Sequence, residues 1–223
     1  MDDAGSTLAT VWWVMLRLIE KHGIDPEQFR ETLGIAPEAL RDVDARLPAR
    51  LADAGFELAA AQIGDEAFAL RAAECWHPSH LGTIGYAWLS SRTLHTGLKR
   101  IERFSRILGS RVRYRCSEDG DGVRLSFDHG RGDATIGPLF ADFSLSILIA
   151  MCRVNARKRL YPFGVDLRRP QPANPQPWRD FFGCPIAYGQ VADSFLLSSE
   201  VANAPLSSSN IPLANTFAAI LVE

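Results

Sequence analysis

The spacing of apolar residues changes at Gly109, and no feature limits the fold of this chain more. Before that point apolar positions recur three and four residues apart, which is the period of a half-buried helix. Leu8, Val11, Trp12, Met15, Leu18 and Ile19 predict an amphipathic helix over Thr7–His22, with Ser6 or Thr7 as its cap and Gly23 as its stop. Asp25-Pro26-Glu27-Gln28 supplies a capping oxygen, a proline at the first helical position and a capping-box glutamine, opening a short helix that Gly34 ends. Pro37 starts a brief turn. Further helices are expected from Pro48 to Ile63, from Asp65 to about Trp76, from Gly82 to Ser90 and from Leu94 to Leu108.

Beyond Gly109 the alternation has period two. Arg111 to Cys116 and Val123 to Phe127 flank the turn residues Asp119-Gly120-Asp121-Gly122, which predicts a β-hairpin with one wet face. Ile136, Phe140, Phe143, Ile147, Ala150 and Val154 then form a four-three pattern, predicting a long helix that lays one face on the sheet. Two more strands are expected at Gly164–Leu167 and Ala192–Leu197, separated by the proline-rich Pro170–Pro177 and a helical turn at Trp178–Phe182. The expected class is α+β: an N-terminal helical array followed by a four-stranded, mainly antiparallel sheet with a long helix across one face. The expected division is a helical subdomain at 1–108 and an α+β sensor subdomain at 109–202. Residues 203–223 read as a linker and the start of a truncated helix-turn-helix region, because the last apolar run stops at Glu223 without a cap.

With 223 residues, 47% of them hydrophobic, the chain can bury a core without disulfide or metal staples. Its 26 acidic and 24 basic residues leave a net charge of −2, which argues against a chain that by itself neutralises many phosphates. The α-helical stretch 94–108 carries Lys99, Arg103 and Arg106 on one face, and the plain reading of that stripe is a solvated surface. Cys75, Cys116, Cys152 and Cys184 lie too far apart for zinc or redox motifs and read as small buried residues in a reducing compartment. The acidic start Met1-Asp2-Asp3 lacks the positive charge of a leader, and no uncharged apolar run reaches about 18 residues, so a cytoplasmic protein without membrane contact is expected.

Motifs of catalysis are missing. The sequence has no G-x-S-x-G elbow, no Walker loop and no G-x-G-x-x-G after a strand, so no enzyme and no cofactor is expected. His77 and His80 form the one tempting ligand pair, without a third partner for a metal. They fit better as a helix terminator and a turn residue. Aromatics gather near the junction of helices and sheet: Trp76, Tyr86, Trp88, Tyr114, Phe127, Phe140 and Phe143. Any single one reads as core, whereas a cavity among them would make a pocket. Tyr86, Trp88, Tyr114 and Phe143 are the candidate lining. Arg153, about 80° from the centre of the apolar face of its helix, is the candidate anchor for a carboxylate.

The run Leu81-Gly82-Thr83-Ile84-Gly85-Tyr86-Ala87-Trp88-Leu89-Ser90-Ser91-Arg92-Thr93-Leu94, preceded by Gly23-Ile24-Asp25-Pro26 and Leu33-Gly34-Ile35, resembles the N-terminal effector domain of a branch of AraC-type transcription regulators. This is the domain labelled "arabinose-binding", although most members do not sense arabinose. Glu118-Asp119-Gly120-Asp121-Gly122-Val123-Arg124-Leu125 and Phe181-Phe182-Gly183-Cys184-Pro185-Ile186 are similar to its later motifs, in order, over most of residues 20–202. Pro170–Pro177 departs from the family in its proline content, and the family offers no residue-level ligand motif to transfer. The resemblance implies a sensing and dimerisation module that precedes a pair of helix-turn-helix motifs, here absent. Its expected partners are a small-molecule effector such as an organic, fatty or amino acid, a second copy in a homodimer, and DNA only through the absent C-terminal part. The rival readings are a ligand-free interaction module, favoured by a solid core, and a hydrolase with a non-standard site, favoured by a Ser or Cys within hydrogen-bond reach of a histidine.

Overall fold

The structure is a computed structural model that describes residues 5–221. The acidic residues 1–4 and the expected stop at Glu223 lie outside the described residues. Helix α1 (Ala9–Lys21) buries Trp12, Met15, Leu18 and Ile19 as the spacing predicts. Its start differs from expectation. Ser6–Leu8 is strand β1, paired antiparallel with β2 (Arg46–Pro48), and no side chain caps the helix. The Ser6 backbone N–H is held instead by the Ser110 hydroxyl at 2.8 Å, and Thr7 bridges Gly109, so long-range pairing takes the residues that would have capped.

Helix α2 (Pro26–Thr32) is capped by Asp25, whose Oδ1 accepts from the Glu27 N–H at 2.9 Å. Helix α3 (Ala49–Ile63) ends at Gly64 with φ 68°, the left-handed stop that glycine adopts without strain. The expected helix after Asp65 is a 3₁₀ segment, Phe68–Glu74. Phe68, Ala69, Leu70 and Ala72 are all buried there, and so dense a run of buried residues does not fit the single stripe of an α-helix. Helices α4 (Thr83–Leu89) and α5 (Leu94–Leu108) complete the first half. On α5 the stripe is partly engaged, since Lys99 donates to Glu102 and to the Cys116 carbonyl.

The sheet has five strands in the order β3-β4-β7-β5-β6, from β3 (Arg113–Asp119), β4 (Gly122–Asp128), β5 (Gly164–Leu167), β6 (Ile186–Tyr188) and β7 (Asp193–Ser198). Four were expected. The added strand β6 is three residues long, too short to show alternation, and pairs parallel with β5 after the crossover through α7 (Gln176–Phe182). All other pairs are antiparallel.

Helix α6 (Gly137–Ala156) does not lie with one face on the sheet and the other in water. It packs against the 3₁₀ segment 68–74 as well as β4 and β7, and buries Phe140, Phe143, Leu145, Leu148, Ile149 and Met151 around its circumference. A helix enclosed on several sides has no single stripe, and Val154, placed on the expected one, is 54% exposed. By length and composition α6 could cross a membrane, but most of it forms the core of this chain. Helices α8 (Ser199–Asn203) and α9 (Ile211–Ile220) close the chain. The stretch read as a linker is docked: the N–H groups of Leu206 and Asn210 donate to the carbonyls of Arg92 and Ser90, each at 3.0 Å.

Candidate functional site

Between β4 and α6 the chain turns through His129-Gly130-Arg131-Gly132. Gly130 and Gly132 have φ of 67° and 57°, and a side chain at Gly130 would meet the Arg111 carbonyl at 2.4 Å. Asp128 accepts the Gly130 N–H at 2.8 Å and the Arg131 Nη1 donates to the His129 carbonyl at 2.6 Å. The turn thereby folds Arg131 inward, leaving its side chain 4% exposed. Its Nε donates to Asp53 on α3 at 2.6 Å, and its guanidinium carbon lies 3.5 Å from the Phe140 ring centroid. Asp53 also receives Arg111 at 3.1 Å. Burial lowers the Arg131 pKa while Asp53 opposes it, so the group stays charged at neutral pH.

Arg131 stands on the wall of a partly open cavity of about 100 Å³ lined by α1, α3, α5, α6 and the start of β3. Trp12, Met15, Phe56, Ile101, Phe140, Phe143, Leu148 and Met151 make the wall largely apolar. Thr7, Tyr114 and Ser144 add hydroxyls. Burial pushes the Tyr114 phenol up to about 12, with the Ser144 hydroxyl pulling the other way, so Tyr114 is a neutral donor and acceptor. The indole N–H of Trp12 is buried without a hydrogen-bond partner. Nη2 of Arg131 likewise forms no hydrogen bond among the described residues.

Of the residues singled out from sequence, Tyr114 and Phe143 line this cavity and the other three lie elsewhere. Tyr86 is 41% exposed and packs on Phe217 of α9 with ring centroids 5.7 Å apart. Trp88 is fully buried against Gly97, where a methyl group would come within 2.6 Å of the indole. Arg153 spans the far end of α6, donating to the carbonyls of Leu160 at 2.9 Å and Phe181 at 2.8 Å. Arg131 and Asp53 were not singled out. The available signal was an arginine between two glycines at a strand-to-helix turn, which is a poor signal without the fold.

A second, wider groove of about 510 Å³ lies between residues 129–138 and 168–193. Its lining is mixed polar and apolar, and its cations are paired: Arg168 with Asp133 at 3.2 Å and Arg169 with Asp142 at 2.8 Å. Burial raises the Asp142 carboxyl to about 7 against the pull of Arg169 and Trp178. Ser79 Oγ lies 2.8 Å from His77 Nδ1, the contact that would suggest a nucleophile and base. That nitrogen also accepts the Ser79 N–H at 3.3 Å, and His80 Nδ1 accepts the His77 N–H at 3.0 Å. The pair is a reciprocal cap on the 3₁₀ turn Pro78–Leu81, and among the described residues no carboxylate orients the imidazole. Among the described residues no three His, Cys, Asp or Glu side chains group as metal ligands.

Comparison with the curated proteins by sequence finds no match. Among solved structures the chain resembles the transcriptional regulator CdpR from Pseudomonas aeruginosa, at 18% identity and a TM-score of 0.65. That alignment covers 94% of this chain and 62% of the regulator, so the chain spans less than two thirds of its length. The likeness shows the shared fold. The family model for the arabinose-binding domain of AraC transcription regulators, an N-terminal domain, matches residues 23–206. Because that match runs from before α2 to beyond α8 and takes in every strand of the larger sheet, the chain belongs to the family of N-terminal arabinose-binding domains of AraC transcription regulators.

Proposed function

We propose that this chain is the effector-sensing part of a cytoplasmic AraC-type regulator and that its effector occupies the cavity beside Arg131. The observation that carries the reading is a nearly buried guanidinium on a largely apolar wall that also includes Trp12, whose indole N–H lacks an acceptor. A carboxylate suits both donors, and the ring and aliphatic walls suit an apolar body. The effector class is therefore an organic acid. A cavity of about 150 Å³ holds benzene, so the present void of about 100 Å³ takes a short branched chain as it stands, a single ring only if its wall opens, and a long fatty tail in neither case. Arabinose fits poorly, because it carries a hydroxyl on nearly every carbon and the wall is largely apolar.

Tyr114 and Phe143 belong to this binding site, with Arg131 in the anchoring role first considered for Arg153. Tyr86, Trp88 and Arg153 act outside it, in the packing of α4 on α9 and α5 and in the docking of α7. We further propose that residues 1–108 and 109–202 are two lobes around the cavity and that 203–223 passes its state onward. In this reading the regulator is a homodimer, and DNA is bound by helix-turn-helix motifs in the rest of the protein.

Calorimetry with benzoate, phenylacetate and branched short-chain acids tests the proposal, with the matching amides as neutral controls. Binding of at least one acid, weakened tenfold or more in Arg131→Gln, is the expected result. If acids and amides alike fail to bind, the ligand-free interaction module becomes the better reading.

A further inference from the structure

Six residues of α6 line the cavity, and the stripe they define continues past it. Ser144, Leu148 and Met151 are on the wall, and Asn155 follows at the same i, i+4, i+7, i+11 spacing, one turn or about 6 Å beyond Met151. Asn155 is 2% exposed and makes two hydrogen bonds. Its Nδ2 donates to the Trp88 carbonyl at 3.2 Å, and its Oδ1 accepts from the Ser208 hydroxyl at 2.6 Å.

These partners meet at one place in the fold. The C-terminal end of α4 leaves carbonyls that its own helix cannot satisfy. Those of Ser90 and Arg92 are taken by the backbone N–H groups of Asn210 and Leu206, and that of Trp88, which already accepts the Ser91 N–H at 3.0 Å, also accepts from Asn155. The C-terminal segment is thus seated on α4 by two main-chain bonds and one side-chain pin, in addition to the packing of α9 on α4 through Tyr86 and Phe217. The pin projects from the helix that forms the cavity wall.

We propose that Asn155 is the positioning residue that couples occupancy of the cavity to the docking of residues 204–221. The proposal rests on the effector reading for its purpose but not for its test. An object that displaces Leu148 or Met151 rotates or shifts the stripe. Asn155 must then lose alignment with Ser208, with Trp88 or with both. Packed helices move as units, so a small change at the wall reaches the pin without passing through any loop. The coupling also runs in reverse: release of the segment frees Asn155 and loosens the wall at Met151.

Amide hydrogen exchange at Leu206 and Asn210 of the full 223-residue chain tests this, comparing wild type, Met151→Ala, Asn155→Ala and the double variant. Exchange at Leu125 and Phe195, in the middle of the sheet, corrects for any global loss of stability. Asn155→Ala is expected to accelerate exchange about tenfold, as befits the loss of buried hydrogen bonds. Met151→Ala is expected to accelerate it about threefold when Asn155 is present and not at all in the Asn155→Ala background. A pin with a purely structural role responds to its own removal but not to the cavity. Wild-type rates in Met151→Ala, no change in Asn155→Ala, or factors that multiply in the double variant each overturn the proposal. If Met151→Ala does not fold, Leu148→Ala on the same stripe replaces it. No ligand enters the cycle, so its failure leaves the effector reading standing, while absence of acid binding leaves the cycle's outcome unaffected.

Discussion

Arg131 and Asp53 meet at 2.6 Å, joining the turn after β4 to α3. With the Arg131 side chain 4% exposed, Asp53 is its counter-charge as well as its tether. Asp53→Ala leaves a buried cation without a carboxylate, and should cost about 2 kcal/mol in urea denaturation, a buried-pair penalty reduced for the partial exposure of Asp53. Arg131→Met keeps contact with Phe140 and should cost less. Millimolar benzoate should restore part of the stability of Asp53→Ala by supplying the missing charge. Equal losses in the two variants, with no effect of benzoate, would contradict the assignment.

Gly85 sits where a Cβ would come within 2.0 Å of the Pro78 carbonyl oxygen. Backbone cannot yield as a flexible side chain does, so Gly85→Ala should destabilise the chain by about 2–3 kcal/mol and separate α4 from the 78–81 turn. Thermal unfolding of the variant checks this. A midpoint unchanged from wild type would show that the turn can move away at little cost.

Burial holds the His80 pKa down to about 4, helped by the positive charges of Arg17 and His77. An unfolded histidine takes up its proton near 6.5, so between pH 6.5 and 4 the unfolded state binds more protons and stability falls as the pH falls. The loss should be on the order of 2 kcal/mol across that window, with none above pH 7. His22 and His129 are shifted the same way by burial and add to the slope. His80→Asn places an amide oxygen where Nδ1 accepts the His77 N–H, and should flatten the profile without altering stability at pH 8.

Arg153→Ala tests the displaced anchor. Loss of two charge-assisted bonds, to Leu160 and Phe181, should cost about 2 kcal/mol and loosen residues 157–163 against α7, as read by hydrogen exchange. Affinity for any acid that wild type binds should stay within about twofold. A tenfold loss would return Arg153 to the binding site.

The parts of this fold that were legible share one property: a single buried face. α5 has the expected bounds Leu94–Leu108, and β5 the expected Gly164–Leu167. In each, local period and burial agree. α6 misled because a helix covered on several sides shows several overlapping stripes, and the four-three pattern selected one that ends at exposed Val154. β6 escaped notice because three residues cannot display a period. Of the proposed site, Tyr114 and Phe143 are legible in the sequence as aromatics on strand and helix. Arg131 is not, since what brings it to the cavity is a glycine turn and an aspartate 78 residues away. Tyr86 and Trp88 belong to the aromatic group that the sequence places near the junction of helices and sheet, but α4 faces α5 and α9.

Strand β3 pairs on one side with β4 and begins the sheet on the other, where an unpaired row of backbone groups invites a foreign strand. α5 lies along that strand, and Lys99 directs its ammonium to the Cys116 carbonyl. An added strand would have to displace both the helix and a charge. The lysine of the basic stripe thus helps to cover this edge, and its own position is accounted for by Glu102 and the Cys116 carbonyl.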